Sequence, residues 1–169
     1  MLLKKMNGVG WRYFIGVLVY CFYSQVAYAA CTGVACTCSV GTSTAVAFGN
    51  YNPTSGTQTT ATGNVVVTCS AVVLGIISYD IALSAGNSGS FTTRFMNLAG
   101  NHLNYNLYTT AGLTSVWGNG TAGTVTESDS YLLILGPNTR NYAVFGRVPA
   151  LQTLGPGLYT DSITITVTY

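Results

Sequence analysis

Tyr159-Thr160-Asp161-Ser162-Ile163-Thr164-Ile165-Thr166-Val167-Thr168-Tyr169 alternates large side chains with small hydroxylated ones without a break in step. Successive side chains of a strand point to opposite faces, so this period of two predicts a strand. Its apolar face is Ile163, Ile165, Val167 and Tyr169, and its wet face is threonine, a good strand former. The same pattern recurs upstream. Ile77, Tyr79, Ile81 and Leu83 alternate with Ser78, Asp80 and Ala82; Leu103, Tyr105 and Leu107 alternate with Asn104, Asn106 and Tyr108; Tyr142, Val144, Gly146 and Val148 form another row. Turn residues separate them at Asn52-Pro53, Ser55-Gly56, Ala85-Gly86-Asn87-Ser88-Gly89, Asn119-Gly120, Gly136-Pro137-Asn138 and Gly155-Pro156-Gly157. No stretch keeps a 3.6-residue period, and neither a linker nor an internal repeat is visible. The expectation is an all-β chain, one β-sandwich of about seven strands. Because the sequence stops at Tyr169, inside a strand, an open sheet edge beside an apolar face is expected, a surface that aggregates unless a partner covers it.

Only 6% of the 169 residues are charged, against roughly 25% in an ordinary domain. The formal net charge of +2 misleads, because Lys4, Lys5 and Arg12 all stand near the start. Beyond residue 29, three arginines (Arg94, Arg140, Arg147) face four carboxylates (Asp80, Glu127, Asp129, Asp161), a net charge of −1. With no basic patch, no nucleic-acid partner is expected. A hydrophobic content of 49% argues against disorder.

Lys4 and Lys5 open a positive start, an apolar run follows from Phe14 through Leu18 to Phe22, and Ala27-Tyr28-Ala29 places small residues at a cleavage site. This is the layout of a secretory signal peptide, and the run is short for a membrane span. Residues 1–29 are therefore expected to be the signal and residues 30–169 the mature domain. Cys21 leaves with the signal, so Cys31, Cys36, Cys38 and Cys69 remain. An even number in an exported chain points to disulfides. Three connectivities are open, of which Cys38–Cys69 with a small Cys31–Cys36 loop is preferred. No metal is expected: His102 is the single histidine and no second ligand pair exists.

Candidates for catalysis are thin, and no enzymatic activity, cofactor or small-molecule substrate is expected. His102 enters a strand pointing away from the core. Glu127 and Asp129 are expected in a solvated loop, with too few oxygens for calcium. Neither G-x-S-x-G in the mature chain nor G-x-x-x-x-G-K occurs. Trp117 is read as capping a sandwich end beside the Asn119-Gly120 turn, with stacking on a sugar as the competing role; Asn119-Gly120-Thr121 is a formal glycosylation sequon.

Phe48-Gly49-Asn50-Tyr51-Asn52-Pro53 followed by Thr62-Gly63-Asn64-Val65-Val66-Val67-Thr68-Cys69 resembles the opening of a spore coat protein U domain, shared with the pilins of archaic chaperone–usher pili. The resemblance continues through Tyr79-Asp80-Ile81-Ala82-Leu83-Ser84-Ala85-Gly86, Arg94-Phe95-Met96, Leu103-Asn104-Tyr105-Asn106-Leu107-Tyr108, Trp117-Gly118-Asn119-Gly120 and the terminal strand, covering about residues 38–169. It implies an immunoglobulin-like sandwich lacking its final strand. A periplasmic chaperone lends that strand, and an outer-membrane usher exchanges it for the N-terminal extension of another pilin subunit. It also implies a Cys38–Cys69 disulfide and chaperone or donor-strand contact at Ile163, Ile165, Val167 and Tyr169. The implied role is structural: a subunit that passes through the periplasm to a cell-surface fibre (a pilus or fimbrium) serving cell adhesion and biofilm. In one respect the chain departs from the pattern. Between Ala30 and Thr37, Val34 is the single large aliphatic residue, so a subunit that accepts a strand without donating one, minor or terminal in the fibre, is expected. The alternative is a self-sufficient secreted coat or carbohydrate-binding sandwich.

Overall fold

The inward rows of the sequence become two facing antiparallel sheets in the computed structural model, which describes residues 36–169 and the backbone of Cys31 and Thr32. The expected signal at 1–29 lies outside the described residues, as does Val34. The described strands are β1 (Cys31–Thr32), β2 (Cys36–Val40), β3 (Thr59–Ala71), β4 (Gly75–Leu83), β5 (Arg94–Leu98), β6 (Asn101–Tyr108), β7 (Glu127–Leu133), β8 (Gly136–Val148) and β9 (Ile165–Thr168). The one helical turn among them is a 3-10 segment, Gly86–Ser88. There are more strands than the expected seven, partly because β1 and β2 pair in different sheets.

The larger sheet runs β2-β3-β8-β6-β5, and the smaller runs β1-β4-β7 with β9 also beside β4. β7 pairs with Gly75–Ile81 of β4, β1 with Ile76 and Ile77, and β9 with Asp80 through Leu83. A strand has two edges, and β7 occupies one of them over residues that β1 and β9 also reach. So β1 and β9 share the other edge of β4, end to end.

Between the sheets lie Val65, Val67 and Cys69 of β3, the whole row Ile77, Tyr79, Ile81 and Leu83 of β4, Leu107 of β6, and Val144 and Val148 of β8. Each fully buried aliphatic side chain of this kind contributes roughly 2 kcal/mol. Cys38 stands directly opposite Cys69 in the β2–β3 ladder, and the two are joined by a disulfide across 31 positions of sequence. Loop closure of that size stabilises by about 3–4 kcal/mol in the chain-entropy picture. Cys36 is disulfide-bonded too; the side chain of Cys31, its expected partner, lies outside the described residues.

Several expectations need correction. The terminal strand is shorter than its alternation: hydrogen-bonded pairing with β4 begins at Ile165, because Thr160 is already bridged to Asn97 of β5 in the other sheet. The chain therefore crosses between sheets before it can join β4. Asn106 and Tyr108 of β6 are buried with their neighbours, Asn106 because its amide answers a buried cation described below. Glu127 and Asp129 are not in a loop. They sit on β7, on the same half-buried row as Tyr131 and Leu133.

A long irregular segment follows β2, and Val46 and Phe48 within it fold back over the larger sheet. Two glycines make room. A Cβ on Gly63 would stand 2.6 Å from the Thr44 carbonyl oxygen and 2.8 Å from Val46; one on Gly146 would stand 2.5 Å from Val46 and 2.6 Å from Phe48. Gly146→Val should thus expel this segment and lower stability by about 1–3 kcal/mol. Gly155→Ala, which meets nothing within 4 Å, should be nearly neutral. Chemical denaturation of both variants checks the contrast.

Candidate functional site

The two sheets are unequal, and beyond β9 no described strand continues the smaller one. Part of the inner face of the larger sheet borders a groove of about 420 Å³. Its floor is Val65, Val144, Tyr105 and Leu107; Val46 and Phe48 form one wall, and Tyr159, Ile163 and Ile165 the other. The groove is apolar because each of these positions falls on the inward parity of its own strand or segment. Its rim carries the second edge of β9, whose backbone groups have no ladder partner among the described residues.

All four residues expected to meet a partner lie on one half-buried row packed against the core, while Thr164, Thr166 and Thr168 are exposed. Ile163 and Ile165 line the groove; Val167 and Tyr169 continue the row beyond it.

One end of the groove is polar. The Asp161 carboxylate accepts the backbone N–H of Asn87 at 2.8 Å and of Ser162 at 2.7 Å, and the Tyr105 hydroxyl at 2.7 Å. It presses against Gly86, whose φ of +65° is the left-handed conformation glycine tolerates and where a Cβ would collide with the carboxylate. Burial first, and then the bond to Asp161, push the Tyr105 hydroxyl well above the usual tyrosine range.

Behind this end sits a residue that the sequence reading passed over. Arg94 is fully buried. Its Nε and Nη2 donate to the Ser84 carbonyl at 3.0 and 2.8 Å, Nη2 also to the Trp117 carbonyl at 2.7 Å, and Nη1 to Asn106 Oδ1 at 2.6 Å. Burial lowers its pKa, and the nearby Tyr105 and Asp161 act in the opposite direction. The available signal was parity: Arg94 is in step with Met96 on the inward row of β5.

The other candidates lie elsewhere. Trp117 is fully buried and donates its indole N–H to the Ile81 carbonyl at 2.8 Å. It belongs to the core, not to a sandwich cap, and presents no face to a sugar. His102 is exposed and stacks on Phe95 with ring centroids 3.8 Å apart. Asp129 accepts the Tyr142 hydroxyl at 2.6 Å, which meets the Tyr79 hydroxyl at 2.5 Å. Glu127 is raised by burial and by Asp129. No group of three or more metal-ligating side chains exists among the described residues.

A second apolar surface was not anticipated. Val72, Val73 and Leu74 of the β3–β4 turn, with Ile134 and Leu135 of the β7–β8 turn, stand in solvent; Val72 is 73% exposed and Leu135 65%. Ile76 and Leu132, which are opposed across β4 and β7, extend the patch. It occupies the end of the sandwich where β1 pairs with β4.

A protein-family model described as Spore Coat Protein U domain matches residues 24–166. No curated protein matches the chain. Among solved structures, the chain is similar to the crystal structure of the CsuC–CsuE chaperone–tip adhesion subunit pre-assembly complex from archaic chaperone–usher Csu pili of Acinetobacter baumannii. The TM-score is 0.50 and the identity 20%, over 80% of this chain and 40% of that one. The chain thus spans less than half the length of that neighbour.

Two outcomes follow from these contacts. Arg94→Met strands the Ser84 carbonyl and the buried Trp117 carbonyl, while Asn106 Oδ1 keeps the Leu107 N–H, and should lower stability by roughly 3 kcal/mol; Arg94→Lys should not restore it, because an ammonium lacks the planar fork. Urea denaturation measures both. Tyr79 is pushed up to about 12, chiefly by burial, whereas an unfolded tyrosine ionises near 10. The folded state then holds its proton longer, so the stabilisation is complete below about pH 10 and is lost as pH rises through about 12. Tyr79→Phe should flatten that part of the stability profile.

Proposed function

We propose a function from one premise: the chain belongs to the Spore Coat Protein U domain family. It is a structural subunit of a surface fibre, completed by a strand from another protein. The observation that carries this reading is the apolar groove beside the unpartnered edge of β9. An extended segment laid there adds a strand to the smaller sheet. Its backbone pairs with β9, and alternate side chains enter the groove. During transit the segment comes from a periplasmic chaperone, and in the fibre from a neighbouring pilin, with an outer-membrane usher between. That the similar solved structure is of a subunit held by a chaperone supports the first of these partners. Residues 1–29 act as the export signal and residues 30–169 form the domain, although the family match begins inside the signal segment.

Attachment to apolar surfaces, and through it biofilm formation, is supported by the aliphatic patch around Leu74 and Leu135. An exposed cluster of this kind is the surface a protein uses to bind something. The competing carbohydrate-binding reading loses its stacking residue, since Trp117 is fully buried.

Two experiments test this. In co-expression with the chaperone of the same secretion system, Ile163→Asp should abolish capture, while Thr166→Asp, on the exposed face of β9, should leave it intact. Equal capture of both, or a stable monomer without any chaperone, would sink the reading. Fibres carrying Leu74→Ser with Leu135→Ser should assemble normally yet bind polystyrene several-fold less. Unchanged binding would remove the patch from attachment.

A further inference from the structure

The polar end of the groove holds an acceptor that is not used up. Oδ1 of Asp161 takes two backbone N–H groups and Oδ2 takes one hydroxyl. An ionised carboxylate offers about four acceptor positions, so one remains on Oδ2. Asp161 lines the groove together with Tyr105, which forms part of its floor. While the groove is open, water can meet that position. A strand of purely apolar side chains would strip the water and leave a charged acceptor unmet, which is unfavourable in a dry site. Asp161 has little freedom to turn elsewhere: it already accepts three hydrogen bonds and Gly86 presses against the carboxylate.

The charge of the required group also follows. Arg94 lies behind this end, fully buried, bonded to carbonyl oxygens. It already supplies the positive charge that offsets Asp161. A lysine on the incoming strand would bring a second cation into the same dry region.

Resting on the strand-accepting role argued above, we propose that the groove selects an incoming strand carrying a neutral hydrogen-bond donor, a threonine, serine or asparagine, at the position over Asp161, within a row otherwise apolar. Asp161 is then a specificity-determining residue, and Tyr105 and Gly86 hold it in place.

The test is competitive refolding of the full, oxidised chain with synthetic peptides. One peptide alternates valine with alanine; a family of others carries a single threonine, or a single lysine, at each inward position in turn. Native mass spectrometry reads which peptide is retained. One threonine position should win over the all-valine peptide by about tenfold, the scale of a hydrogen bond to a charged acceptor, and lysine there should lose to threonine. In Asp161→Asn the preference for threonine over valine should fall to within about twofold. Tyr105→Phe, in which the Asn87 and Ser162 N–H groups still hold Asp161 and a further acceptor position is freed, should widen the preference and keeps the test open if Asp161→Asn does not fold. Valine equal to threonine at every position, or a preference unchanged in Asp161→Asn, would overturn the inference. Retention of no peptide at all would overturn the strand-accepting role itself, and this inference with it.

Discussion

Among the described residues, β9 is hydrogen-bonded along one edge only, and most of what is unusual in the molecule follows from that constraint. β4 spends its two edges on β7 and on β1 with β9, so the smaller sheet ends at β9 while the larger continues for five strands. The difference in width leaves a groove along the inner face of the larger sheet. Val65, Leu107 and Val144 are buried core residues that also form the floor of that groove. An exposed backbone edge and an apolar floor side by side form a template for strand addition. Neither feature alone would specify a strand: the edge asks for backbone pairing and the floor asks for alternating apolar side chains.

Polar contacts and close packing around the groove hold its shape. Arg94 ties the end of β4, through the Ser84 carbonyl, to the carbonyl of Trp117 and the amide of Asn106 on β6. That links both sheets behind the groove with one planar group. Asp161 fixes the point where the chain crosses from the larger sheet toward β9. On the opposite wall, Val46 and Phe48 are seated by the absence of side chains at Gly63 and Gly146. The walls are thus held from three sides by contacts independent of any incoming strand.

Much of this was legible in the sequence, and the exceptions share a cause. Period-two rows located β4, β6, β8 and the terminal strand because half-burial leaves an alternating record. The pairing of Cys38 with Cys69 was preferred from the sequence and agrees with their opposed positions in β2 and β3. What failed were segments whose composition describes a different environment from the one they occupy. Glu127-Ser128-Asp129-Ser130 reads as a loop, yet it is strand, and Asp129 is satisfied by Tyr142, distant in sequence. Val72-Val73-Leu74, not singled out from the sequence, is apolar in composition and yet stands in solvent. Arg94 was invisible as a core residue because its partners are carbonyl oxygens, which every residue carries. Tertiary partners decide such cases, and a local pattern cannot contain them.

The scarcity of charge now has a physical location. Of the seven charged side chains beyond residue 29, Asp161 and Arg94 stand in and behind the groove, and none lies in the aliphatic patch from Val72 to Ile76 or from Leu132 to Leu135. The aliphatic patch is therefore free of charged groups that would have to be desolvated on contact, and the groove carries a single one, Asp161 at its polar end; so little charge favours association wherever a complementary surface is offered. The same economy removes the electrostatic repulsion that keeps ordinary domains apart. A chain with so few charges, an open sheet edge and an exposed aliphatic end has little intrinsic protection against its own copies.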